Sequence, residues 1–320
     1  MTRGRRRGVT TAVLSGALLV VIVAIVLGCT PMSRAAPGAV SAVQEVVGDS
    51  GEVSVYVVER NINVMPRCQL TVRMIDGVAE DELARVLERV WAATGDSPCI
   101  VKTVKTVETA SRSTVFGAPP VAMTAGEASA VAAALQRIDV VTVSVREDGG
   151  VNADASVRTG DFSDAAELAR AAVASAALEE EFGRVLWSMR WSADSSPYDD
   201  ATVTSDITPD ARLADLFDGL AALRDSGALG DGYGTDDAAL DAPIIAVKLN
   251  AITESGSTVV GIGLTVAGWD ADDLDARGAE LAQSSRAAEA ARMIAALGEE
   301  VGVPIGSITA NGTVDLLPEP

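Results

Sequence analysis

The chain has 320 residues, 48% hydrophobic but only 3% aromatic, so Ala and Val must fill its cores. Its formal charge of −20 repels nucleic-acid phosphate and anionic lipid headgroups, which excludes a nucleic-acid binder. Histidine is absent, which removes Ser-His-Asp and Cys-His catalysis and the usual zinc sites, and lysine occurs only at 102, 105 and 248.

Arg3, Arg5, Arg6 and Arg7 precede a mostly apolar, charge-free run from Val9 to Gly28. This is the plan of a secretory signal over residues 1–28. As a helix the run is about 30 Å long, enough to span a bilayer as an uncleaved signal anchor. Val26-Leu27-Gly28-Cys29 resembles the lipobox of bacterial lipoproteins. That resemblance implies cleavage just before Cys29 and lipid on its sulfur. It covers the first 29 residues alone and implies nothing about the fold of the rest. Arg5-Arg6-Arg7 also bears some similarity to a twin-arginine export signal. With either anchor, the arginines stay in the cytoplasm and the body lies on the outer face of a bacterial cytoplasmic membrane. Thr30 to Ala42 is rich in Pro, Ala and Ser, so residues 29–50 are expected to form a flexible tether.

The body from residue 51 alternates between period two and period 3.6. Val53, Val55 and Val57 start a first strand. Val141, Val143 and Val145 pair across Asp148-Gly149-Gly150 with Val151, Ala153, Ala155 and Val157. Val185, Trp187, Met189 and Trp191 share one strand face. Ile245, Val247 and Leu249 pair with Val260, Ile262, Leu264 and Val266 across Glu254-Ser255-Gly256-Ser257. Helices are predicted over Val78–Ala93, Ala125–Arg137, Ser163–Glu180, Asp210–Asp225 and Asp270–Leu297, several with capping residues at their starts.

Written as a string, the body reads ββαββα, ββαββα, ββαβ. The expected class is α+β: tandem ββαββα modules, ferredoxin-like antiparallel sheets with helices on one face. Modules are expected at 51–137, 138–228 and 243–320, with a Gly/Asp-rich connector at 229–242. The three cysteines are Cys29, Cys68 and Cys99. Lipid on Cys29 leaves an even pair for an oxidising compartment. Cys68 and Cys99 each precede a strand, on either side of one crossover helix. Adjacent parallel strands then place them at disulfide distance.

No residue is singled out as catalytic or cofactor-binding. Asp231, Asp236 and Asp237, set among glycines, are the candidates for a Ca²⁺ loop, but they lack EF-hand spacing and read better as connector. Gly261-Ile262-Gly263 lies inside a strand, not ahead of a helix, which argues against a phosphate-cradling loop. Trp187 and Trp191 read as core. The expected function is that of a membrane-tethered, non-catalytic binding or assembly module with an envelope protein partner. The alternatives are a cation-dependent envelope hydrolase using Asp/Glu, and a solute receptor for a transporter.

Overall fold

The computed structural model describes residues 32–58, 66–106, 114–117, 122–138, 141–145, 150–158, 160–193, 199–229, 238–269 and 271–317. Cys29, Asp231, Asp236 and Asp237 lie outside them, as does the apolar run. Among the described residues, twelve strands form one sheet in chain order. They are β1 (Gly51–Val58), β2 (Arg67–Met74), β3 (Ile100–Lys105), β4 (Thr114–Gly117), β5 (Val141–Val145), β6 (Val151–Val157), β7 (Val185–Ser192), β8 (Asp200–Ser205), β9 (Ile244–Glu254), β10 (Ser257–Val266), β11 (Ile305–Ala310) and β12 (Val314–Asp315). The helices are α1 (Met32–Val47), α2 (Glu80–Arg89), α3 (Ala125–Arg137), α4 (Phe162–Ala174), α5 (Ala177–Phe182), α6 (Arg212–Asp225), α7 (Ala271–Ser284) and α8 (Arg286–Val301).

The fold is α+β, built from repeated ββα units. Hairpins make the antiparallel pairs β1/β2, β3/β4, β5/β6, β7/β8, β9/β10 and β11/β12. Helical crossovers make the parallel pairs β2/β3, β4/β5, β6/β7, β8/β9 and β10/β11. Consecutive helices pack side by side in a single layer. The strand order differs from the ferredoxin-like expectation. There, a strand lies between the two that a crossover joins, and the second crossover runs back across the sheet. Here the joined strands are neighbours and the chain always moves the same way, so the modules share one mixed sheet. Successive parallel pairs point in opposite directions while their helices stay on one face. Successive crossovers must therefore alternate in hand, although the right hand is strongly preferred.

The core is the layer between sheet and helices. Along β7, Val185, Trp187, Met189 and Trp191 are buried, and Trp191 stacks at a tilt on Phe162 of α4 with ring centroids 4.8 Å apart. Both tryptophans are thus core, as their shared face implies. Ala supplies much of the helix side: Ala128, Ala130, Ala132 and Ala134 in α3 and Ala287, Ala288, Ala290 and Ala291 in α8 are all buried. In α6, a Cβ on Gly219 would meet the Leu297 side chain of α8 at 2.4 Å, so glycine here permits the close helix crossing. Two long predicted helices break at serine. Ser175 donates its hydroxyl to Ala171 O and separates α4 from α5. Ser285 caps α8 by accepting from Ala288 N.

The stretch expected to be a tether is largely helix. Ala36, Ala39, Val43 and Val47 form one buried stripe of α1, packed on β1 and β2. Pro37 and Gly38 read as breakers in isolation, but burial of this stripe outweighs their propensity. Gln44 then fastens the turn that follows. Its Nε2 donates to Gly48 O and Gly51 O, and its Oε1 accepts from Val53 N. Gly51 O and Val53 N belong to β1, so the amide of Gln44 shields part of its outer edge.

Cys68 and Cys99 are joined, with Cα atoms 4.5 Å apart and both side chains buried. Cys99 directly precedes β3, whereas Cys68 lies inside the start of β2, one residue further into its strand than the sequence implies. A second tie lies at the opposite end of the same strands. Ser50 Oγ donates to Glu82 Oε1 at 2.6 Å, and Arg85 grips both Glu82 oxygens at 2.6 and 2.8 Å. The Arg85 guanidinium first, and the Ser50 hydroxyl second, hold the Glu82 carboxyl down to about 2 from its ordinary 4.5.

Replacing both Cys68 and Cys99 by alanine should lower unfolding free energy by about 3 to 4 kcal/mol, the loop-closure value for a crosslink of this span, as read by urea denaturation. An unchanged midpoint would mean that the bond constrains nothing. The depressed Glu82 acidity gives a stabilising contribution that is complete above pH 4.5 and disappears as pH falls toward 2. Glu82→Gln should lower stability at neutral pH and flatten the acid limb in that window, with a carboxyl-resolved NMR titration as the check.

Candidate functional site

The helices cover one face of the sheet, and the other face carries polar side chains together with exposed apolar ones, Tyr56, Leu186, Ile245, Ile252 and Val259. Cross-strand register sets them in rows. One row runs Ser156, Arg190, Thr202, Asn250, Gly261, Ser307 across β6 to β11. The next runs Ser192, Asp200, Lys248, Gly263, Thr309 across β7 to β11. In β10 the core positions Val260, Ile262, Leu264 and Val266 are buried, and Gly261, Gly263 and Thr265 alternate with them. An extra residue in β9 shifts the register near Ala246 and turns Ile245 outward, away from the face its spacing with Val247 suggests.

Gly261 and Gly263 leave the backbone of β10 bare between taller neighbours. The result is an open depression of about 460 Å³, walled by Thr202, Lys248 and Asn250 on one side and Ser307 and Thr309 on the other. Neither glycine has a positive φ. A Cβ on Gly263 would make ordinary contacts, the nearest at 3.9 Å, and one on Gly261 would approach Ser307 Oγ at 3.1 Å. Packing therefore does not demand glycine at 263. Glycine inside a strand weakens it and recurs where a ligand or another backbone comes close.

Charge at the site is mixed and held from below. Asp199 is buried, its side chain 5% exposed, and accepts both Arg224 Nη2 contacts at 2.6 Å and Val247 N at 2.6 Å. It ties the end of α6 to β9. Removing one partner of such a pair typically costs about 3 to 5 kcal/mol. Its neighbour Asp200 points to the open face beside Lys248. Burial raises the Asp200 carboxyl above its usual acidity range; Lys248 opposes this, Asp199 adds to it, and Arg190 opposes it again. The arrangement presents one acid, two bases, hydroxyls and an amide around exposed peptide groups. It can exchange hydrogen bonds with a polar partner, and its one acid against two bases leaves a single excess positive charge.

The sequence candidates fall elsewhere. Cys68 and Cys99 are brought together at the starts of β2 and β3, away from this depression. The Ca²⁺ candidates Asp231, Asp236 and Asp237 and the lipidation candidate Cys29 lie outside the described residues. Among the described residues, no group of three His, Cys, Asp or Glu is placed to hold a metal, and no helix is long and apolar enough to cross a membrane. The depression itself is missed by motif reading. Its signal is two glycines at i and i+2 of a strand, which puts both bare positions on one face. Comparison with protein-family models, curated proteins and solved structures returns no match.

Gly263→Ala should raise stability by about 0.5 to 1 kcal/mol in urea denaturation, the usual gain for relieving a strand glycine. A loss instead would show that packing, not an approaching partner, keeps this position bare. Gly261→Ala should gain less, because Ser307 must give way.

Proposed function

We propose that the chain is an extracytoplasmic lipoprotein, moored at the outer face of a bacterial cytoplasmic membrane, and that it works as a non-catalytic binding or assembly module. The uncovered sheet face is its binding surface, and the bare floor at Gly261 and Gly263 is the observation that carries this reading. An α+β body normally hides the face that bears its side-chain rows or leaves it uniformly studded. A gap opened at an energetic cost, within rows of hydroxyl, amide and charged groups, fits the close approach of a polar partner such as another envelope protein.

The mooring rests on Val26-Leu27-Gly28-Cys29 and on the basic and apolar segments before it. The buried Cys68–Cys99 pair supports an oxidising compartment. The depression is open and shallow, which fits a docking patch better than the enclosed pocket of a solute receptor.

A photo-crosslinking residue at Asn250, compared with one at the exposed Glu167 on the helix side, tests the surface in cells. Crosslinks to a discrete envelope partner should form at 250 and be lost on Gly263→Val. Equal capture at both positions would refute the assigned face. The mass of the mature protein should start at Cys29 with lipid attached, or retain the N-terminal span in the membrane fraction. A full-length chain in the cytosol with reduced thiols would refute the mooring.

A further inference from the structure

We infer that the folded body is held directly against the lipid surface, with the first end of the sheet as its membrane-facing end. This deepens the anchoring reading and rests on it. The observation is the position of α1. Only Thr30 and Pro31 separate Cys29 from Met32, the first residue of the helix. Three Cα steps reach at most about 11 Å. Whether the anchor is lipid on Cys29 or a span ending at Gly28, the helix start stays within that reach of the headgroups.

The fold determines which surface follows. The helix has 16 residues, about 24 Å, and β1 has 8, about 27 Å. A three-residue turn, Gly48–Ser50, joins them, and α1 packs along β1. The helix therefore retraces the strand, and its first turn ends level with Val57 and Val58. Val58 pairs with Arg67 and Val57 with Cys68, while Gln69 pairs with Ile100. The short helical turn Ala92–Thr94, just ahead of Cys99, also packs on α1. The Cys68–Cys99 bond thus staples the end of the sheet that the anchor pulls on.

Charge at this end differs from the rest of the body. Arg34, Arg67, Arg89 and Lys102 are exposed here, against Asp96 and the half-buried Glu88, in a chain whose 45 acids exceed its 25 bases. An acidic protein held at an anionic surface is repelled unless its near side is locally basic. These cations meet that condition for phospholipid headgroups. The depression over β8 to β11 lies six or more strands from β2, roughly 30 Å or more across the sheet from the anchored strands.

The test uses the anchored full chain in vesicles of phosphatidylcholine and phosphatidylglycerol that include a nickel-chelating lipid. With Cys68–Cys99 bonded and Cys29 lipidated, or replaced by Cys29→Ser where the span is retained, a single introduced cysteine takes a nitroxide. Ala92→Cys should show strong relaxation by the lipid-borne nickel, and Thr313→Cys should match vesicles without nickel. A Gly-Ser linker of about ten residues inserted before Met32 should abolish the difference by releasing the body. In the anchored chain without the linker, Arg34→Glu with Arg67→Glu should weaken relaxation at 92. Mass spectrometry of the same sample reports the anchor. An anchored chain with no relaxation at 92, or with equal relaxation at 92 and 313, overturns this orientation while leaving the anchor intact. A chain with neither lipid nor span overturns the anchoring reading and the orientation with it.

Discussion

Nearest-neighbour pairing governs this molecule. Every described strand pairs with the strands immediately before and after it in the chain, and every crossover returns over the same face. Hairpins and crossovers alternate, so the direction of travel across the sheet never reverses. Had every crossover kept the preferred right hand, successive helices would have alternated between faces and covered both. Alternating hand instead gathers the helices into one layer. One face becomes core, and among the described residues no helix packs on the other.

That asymmetry explains how so few aromatic residues suffice. A two-layer body needs only one apolar face per strand. Ala-rich helices approach the Val-rich sheet closely, and the few large side chains, such as Trp187, Trp191, Phe162 and Phe217, fill the space between them. Among the described residues, Asp199 is the one buried side chain of a charged type. Its hydrogen bonds to Arg224 and to Val247 N satisfy it, and they couple α6 to the strands that wall the depression. The same alternation that packs Ile262 and Leu264 into the core puts Gly261 and Gly263 on the outer face. Core and candidate site are two sides of one strand.

The opposite end of the sheet has a different task. There α1, the Cys68–Cys99 bond and the Ser50–Glu82–Arg85 contacts lock the first strands together. These ties concentrate where the chain enters the fold, and the bare glycines lie many strands away. One continuous sheet joins the two regions.

Local pattern was legible wherever it repeats at short range. Alternating Val and Ala in β5 and β6 and the Ser255-Gly256 turn were readable because a few neighbouring residues decide them, and Ser255 and Gly256 indeed take the positive φ such a turn needs. The ββα order and the placing of Cys68 beside Cys99 followed from those elements. Three things were decided only by tertiary packing. Helix α1 exists because Ala36, Ala39, Val43 and Val47 find the sheet, against the local preference of Pro37 and Gly38. Strand order and the hand of each crossover depend on where whole units dock, which no window of sequence records. The depression at Gly261 and Gly263 needs β8, β9 and β11 beside β10 to become a surface, because a gap in side chains has shape only once its walls are in place.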